Sequence, residues 1–211
     1  MALAYLTEIR LNTRAREVRA DLKNGGRGFH HRTARLAPPE TATADARLLW
    51  RLDTFRNGLR LLVQTPQEPD LSTLPDTYGT ARTHPLDRHL ERLTQGQRVR
   101  YRLAANPVRT GTDEITGMPL KNRIPCKGEE ITRWFNHRTE TLGLAPETLA
   151  TYQLAPVTGT RDHKPGLRLT LTRYDGIATI TDPAALRTAI LTGIGRGRAF
   201  GAGLLTVAAI A

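Results

Sequence analysis

Apolar and polar positions alternate from Leu3 to Asn12, which predicts a strand, and the period then lengthens to that of a helix. Ala15, Val18 and Leu22 form its inner face, Arg14, Arg16 and Arg19 its outer one, and Asn12 or Thr13 is placed to cap it. Asn24-Gly25-Gly26 ends that segment, and Phe29 to Leu36 predicts further helical turns stopped by Pro38-Pro39. Two strands follow, with Leu48, Trp50 and Leu52 on one face of the first and Leu59, Leu61 and Val63 on one face of the second. Asn57-Gly58 between them is a hairpin signal. A loop-rich stretch then carries a short strand from Tyr78 to His84 and a small helix through Leu86, Leu90 and Leu93, closed by Gly96.

The second half repeats the plan. Gln97 to Val108 reads as a strand, residues 109–128 as a basic, flexible insertion, and Glu129 to Leu142 as an amphipathic helix ended by Gly143. Leu167 to Arg173 and Ile177 to Thr181 predict a second hairpin hinged at Asp175-Gly176. Asp182-Pro183 opens a helix through Leu186 and Ile190, and Gly203 to Ile210 is the last strand. Strand, helix, hairpin, helix, strand, met twice, is the ferredoxin-like unit. The expected fold is therefore α+β: two tandem ferredoxin-like (RRM-like) domains, antiparallel sheets with helices on one face, divided into residues 1–94 and 95–211.

Charge narrows the partners. Among 211 residues, 31 Lys and Arg against 20 Asp and Glu leave a net charge of +11. Most of the cations are arginines, whose planar fork suits phosphate and stacks on bases. The one cysteine, Cys126, excludes a disulfide framework and a cysteine-based zinc site. No apolar run is long enough to cross a bilayer, and the first residues read as a strand, so a cytoplasmic protein without a membrane partner is expected.

Five glycines and two arginines lie between the last helix and the last strand, in Gly193-Ile194-Gly195-Arg196-Gly197-Arg198-Ala199-Phe200-Gly201-Ala202-Gly203. A dinucleotide fingerprint or P-loop must follow a strand and open a helix, whereas this loop runs the other way. Gly195 and Gly197 would let backbone amides approach a polyanion, with Arg196 and Arg198 supplying charge. A further basic track is offered by Lys121, Arg123 and Lys127 in the insertion and by Arg161, Lys164 and Arg168 near the second hairpin, together with Arg14, Arg16 and Arg19.

None of the six histidines has HxH or HExxH spacing, and no carboxylate cluster suggests two-metal chemistry, so no metal or other cofactor is expected. RNA cleavage would then use the ribose 2′-OH as nucleophile, with a proton acceptor, a proton donor and cations on the phosphoryl oxygens. On a helical wheel with Phe29 inward, His30 falls at the margin between core and solvent, and His31 points away with Arg35. His30 is the first candidate for proton transfer, His31 its rival, and Arg27 a nearby cation.

The chain resembles the CRISPR RNA-processing endoribonucleases of the type I-E Cascade system, the CasE family. The resemblance covers nearly the whole length. It rests on Leu6-Thr7-Glu8-Ile9-Arg10-Leu11-Asn12 followed by Arg19-Ala20-Asp21-Leu22, on Phe29-His30 eight positions ahead of Pro38, on Tyr101-Arg102-Leu103-Ala104-Ala105-Asn106-Pro107, and on the glycine loop followed by Leu204-Leu205. It implies two ferredoxin-like domains that grip a repeat-derived RNA hairpin and cleave without metal at the 3′ base of its stem. It also implies retention of the product among other Cascade subunits. His30 matches the catalytic histidine; family members often place a tyrosine three residues before it, where this chain has Arg27. The alternative reading is a non-catalytic RNA-binding subunit of a CRISPR ribonucleoprotein. A generic two-domain RNA binder is disfavoured by an aromatic content of 5%.

Overall fold

The structure, a computed structural model, describes residues 3–37, 47–112, 116–161 and 164–210. Pro38-Pro39 lies outside them, as do the side chains of Lys121, Arg161 and Lys164. Strand β1 (Tyr5–Leu11) ends where the Asn12 side chain accepts from Arg14 N and its carbonyl accepts from Ala15 N, a turn that delivers the chain into α1 (Arg16–Asn24). Gly25, at φ +57°, breaks α1 from α2 (Gly26–Leu36). The two helices touch so closely that a Cβ on Gly28 would stand 2.6 Å from the Asp21 carbonyl.

Strands β2 (Leu49–Phe55) and β3 (Gly58–Thr65) form the expected hairpin, Phe55 opposite Gly58, and β4 (Gly79–Pro85) completes a sheet ordered β2-β3-β1-β4. This is the ferredoxin-like order, with the second helix reduced to a 3₁₀ turn at Leu71–Thr73; α3 (Asp87–Glu91) follows β4. Ile9, Val18, Phe29, Leu36, Trp50, Leu61, Val63 and Tyr78 make the core between sheet and helices.

The second sheet is built from β5 (Arg98–Ala105), the short β8 (Leu144–Pro146) and β9 (Ala150–Gln153), β12 (Thr172–Ile180) and β13 (Leu205–Ala209), in the order β13-β5-β12-β8 with β9 also on β12. Between these strands stand the hairpin of β6 (Val108–Thr112) and β7 (Pro119–Pro125), helix α4 (Glu129–Leu142), the hairpin of β10 (Val157–Arg161) and β11 (Lys164–Leu169), and helix α5 (Pro183–Thr192). Under α4, Phe135 stacks between Tyr101 at 5.4 Å and Tyr174 at 4.7 Å. Such pairs add about 0.5–1.5 kcal/mol each beyond area burial.

Two local expectations are corrected. Asp175-Gly176 is no turn: both lie inside β12, where Asp175 pairs with Arg102 and Gly176 admits the Thr148 carbonyl and the Tyr101 hydroxyl, which a Cβ would strike at 2.0 and 2.5 Å. The glycine serves a close approach between strands. Residues 109–128, expected to be flexible, instead supply most of the β6–β7 hairpin and the start of the turn into α4.

Strand β2 is buried on both sides, which joins the two halves. Trp50 points to the helices, while Leu49, Arg51 and Asp53 face the second sheet. Arg51, 2% exposed, donates to both Asp53 oxygens (2.8 and 3.0 Å), to the Arg102 and Leu204 carbonyls (2.9 Å each) and to Thr206 Oγ1 (3.0 Å). Every guanidinium N–H is thereby matched, as a buried cation requires. Gln64, fully buried on β3, donates to the Ile190 and Leu191 carbonyls at the end of α5.

Candidate active site

Helix α2 turns Phe29, Thr33 and Leu36 inward, each at most 2% exposed, and leaves His30 half-buried and His31 exposed, as the helical wheel requires. The helix is braced from behind: Asp21 accepts from Arg32 Nε at 2.9 Å and from the Tyr78 hydroxyl at 2.8 Å, and the Arg32 guanidinium lies over the Tyr78 ring. Burial opposes the charge of Arg32, but the bond to Asp21 outweighs it and raises the pKa.

Across from His30 stands the glycine-rich loop. Its 3₁₀ turn, Arg198–Phe200, packs on α2 and on β2, placing the centre of the Phe200 ring 5.4 Å from that of the imidazole; the His31 ring is 5.7 Å away. Among the described residues, His30 Nδ1 is buried with no group in hydrogen-bond geometry, although the Ala199 carbonyl lies near enough to favour a proton on the ring. Burial, and next the neighbouring His31, dominate and lower the His30 pKa below 6.5. The ring is therefore neutral near pH 7 and able to accept a proton.

All five loop glycines have positive φ, and four of them also sit against protein atoms that a Cβ would strike. Gly193 faces Leu49, Gly197 faces Leu169, Gly201 faces the Trp50 ring and Gly203 faces the Ile194 carbonyl, and a Cβ at each would lie only 2.7–2.8 Å from the nearest of those atoms. Gly195 has more room, 3.3 Å from Trp134. Packing on the chain's own atoms thus accounts for four of the five glycines, against strand β2 at Gly193 and Gly201 and within the second half at Gly197 and Gly203. The two loop arginines also differ. Arg196 is exposed, whereas Arg198 is half-buried, donates to the Gly195 and Thr192 carbonyls (3.0 and 3.1 Å) and braces the loop; burial, then Arg47, lowers its pKa.

Of the other basic residues, Arg14 in the turn before α1, Arg16 and Arg19 on α1 and Arg27 in the first turn of α2 are exposed, and Lys127 is exposed ahead of α4. Arg123, exposed on β7, donates to Thr110 Oγ1, and Arg168 is exposed on β11. The β10–β11 hairpin reaches α2, where Val157 lies against Gly26, so this basic hairpin borders the same seam as His30. Lys121 lies on β7, and Arg161 and Lys164 on the strands flanking the hairpin tip. Among the described residues, no group of three or more His, Cys, Asp or Glu stands together in a way that could hold a metal ion, and no helix is long and apolar enough to cross a membrane.

Trp50, Phe200 and the Ala199 carbonyl escaped the sequence reading as parts of the site. Trp50 counted only as core; its N–H partner, 149 positions away, leaves no local signal. Arg51 and Asp53 did leave one, a cation and an anion two apart on one face of an otherwise apolar strand.

Comparison with known proteins gives a consistent picture. The profile of a family described as "CRISPR associated protein" matches residues 4–209. The chain is 32% identical over 218 aligned positions to the CRISPR-associated endoribonuclease Cse3 of Thermus thermophilus, covering 97% of this chain and 99% of the relative. The structure of Thermus thermophilus Cse3 bound to an RNA representing a pre-cleavage complex superimposes with a TM-score of 0.79 at 29% identity, over 98% of this chain and 99% of that one. A chain of a CRISPR RNA-guided surveillance complex, in a pre-nicking state, matches with a TM-score of 0.71 at 33% identity, over 98% of this chain and 100% of that one.

Proposed function

The chain belongs to the CRISPR associated protein family, in its CasE group, and we propose that it is the endoribonuclease that binds the CRISPR repeat hairpin in precursor crRNA and cuts at the 3′ base of the stem. It keeps the product and joins the other subunits of a Cascade surveillance complex, acting in the cytoplasm. The two ferredoxin-like units are divided between residues 94 and 95. The observation that carries the reading is the half-buried His30, set where the glycine loop of the second unit closes on α2, in a chain aligned over nearly its full length with an endoribonuclease.

The cleavage needs no metal in this reading. His30, neutral near pH 7, accepts the proton of the ribose 2′-OH; the 2′-oxygen attacks the adjacent phosphorus, and the bond from phosphorus to the 5′-oxygen breaks. Water protonates the leaving 5′-oxygen, giving a 2′,3′-cyclic phosphate and a 5′-hydroxyl, and His30 returns its proton to solvent. Arg27, one helical turn before His30, stabilises charge on the phosphoryl oxygens, and His31 stands beside the site as a secondary group. The exposed arginines of α1, the β6–β7 and β10–β11 hairpins and Arg196 hold the RNA backbone.

The test uses a labelled repeat hairpin in chelator, beside the same hairpin with a 2′-deoxy sugar at the scissile nucleotide. Cleavage of the first to a cyclic phosphate, and none of the second, is expected. Cleavage that requires added magnesium, or that cuts the deoxy substrate, would overturn the mechanism. Tight binding with no cleavage of either would favour a purely structural RNA-gripping subunit.

A further inference from the structure

We propose that Trp50 is a positioning residue for the cleavage: from strand β2 it holds the Ala199–Phe200 turn of one domain against His30 of the other. The inference rests on the assignment of His30 above. Trp50 is 4% exposed, and its two ends do different things. The indole N–H donates to the Ala199 carbonyl at 2.9 Å. The ring packs on Phe29, with centroids 5.5 Å apart, and on Gly201, where a Cβ would stand 2.7 Å from it.

Ala199 immediately precedes Phe200, and Phe29 immediately precedes His30. Trp50 therefore grips the neighbour of each of the two rings that meet across the seam. It also shares the Ala199 carbonyl, which accepts the indole N–H and lies near enough to the imidazole to favour a proton on it. A core tryptophan needs a partner for its N–H. Here that partner belongs to the other domain, so the bond fixes the relation between the catalytic helix and the loop as well as satisfying the indole.

The experiment compares Trp50→Phe, which keeps a ring and loses the donor, with replacement of Trp50 by benzothienylalanine, which keeps the indole shape and also loses the donor. Hairpin affinity, measured with the uncleavable 2′-deoxy RNA, should stay within about twofold. The single-turnover rate constant should fall about tenfold, equivalent to about 1.4 kcal/mol in the barrier, and the midpoint of its pH profile should move from the wild-type value. A merely structural role would instead lower the melting temperature and the cleaved amplitude, leaving the rate constant of the folded fraction and its pH midpoint unchanged. The benzothienyl variant decides the matter if Trp50→Phe fails to fold. Wild-type rates in it, beside an inactive His30→Ala, would overturn the role of Trp50 alone. Full activity in His30→Ala would overturn both readings.

Discussion

The imidazole of His30 and the ring of Phe200 face each other at 5.4 Å, inclined by 47°, across the seam between the two domains. One ring comes from the second helix of the chain and the other from the turn before its last strand. The contact is therefore made by domain docking, and whatever holds the domains together also sets the surroundings of the imidazole.

The pH dependence of cleavage should show those surroundings. Burial, then His31, lowers the His30 pKa, so activity should rise with pH through a midpoint below 6.5 and level off above it. Removing that neighbour in His31→Ala should move the midpoint upward while leaving most of the plateau rate. Stability follows the same sign: in the unfolded chain the ring binds a proton near 6.5, in the folded chain only at lower pH. Its contribution is full above about 6.5 and is lost as pH falls toward the folded value. His89, lowered first by burial, adds in the same direction. Single-turnover rates and urea midpoints across the range from mildly acidic to mildly basic pH check both.

Asp53 should matter to stability more than any exposed carboxylate. It lies within 2.8 Å of Arg51, 3.4 Å of Arg60 and 3.8 Å of Arg102, and although burial works against its charge, these arginines lower its pKa. Asp53→Asn leaves the Arg51 guanidinium buried without its counter-charge, which costs about 3–5 kcal/mol. Arg51→Met with Asp53→Leu should recover part of that loss in urea unfolding.

Arg196 and Arg198 should separate, although they are two residues apart. Arg196→Ala should weaken hairpin binding and reduce the slope of log affinity against log salt by about one, with the melting temperature unchanged. Arg198→Ala should lower the melting temperature, because it strips the donors from the Gly195 and Thr192 carbonyls. Salt titrations of binding, paired with thermal melts, distinguish them.

Much of this was legible in the sequence where the cause is local. The Phe29, Thr33, Leu36 spacing placed His30 at the rim, Asn57-Gly58 made its hairpin, and Asp182 caps α5 by accepting from Ala184 and Ala185. What was not legible depended on a distant partner. Gly176 resembles a turn until Thr148 and Tyr101 are brought against it, and no local signal tells that Leu49 packs on Gly193 or Trp50 on Gly201. Alternation along β2 suggested one buried face, and only the Arg51 and Asp53 pair, two apart, hinted that a second sheet covers the other.

The central claim, that His30 at this domain seam carries out the cut, is tested most directly by single-turnover cleavage of the repeat hairpin in chelator by wild type, His30→Ala and His31→Ala, with affinity measured alongside. Loss of cleavage in His30→Ala, most of the rate kept in His31→Ala and tight binding in both are predicted. A His30→Ala protein that cuts at the wild-type rate would contradict the account.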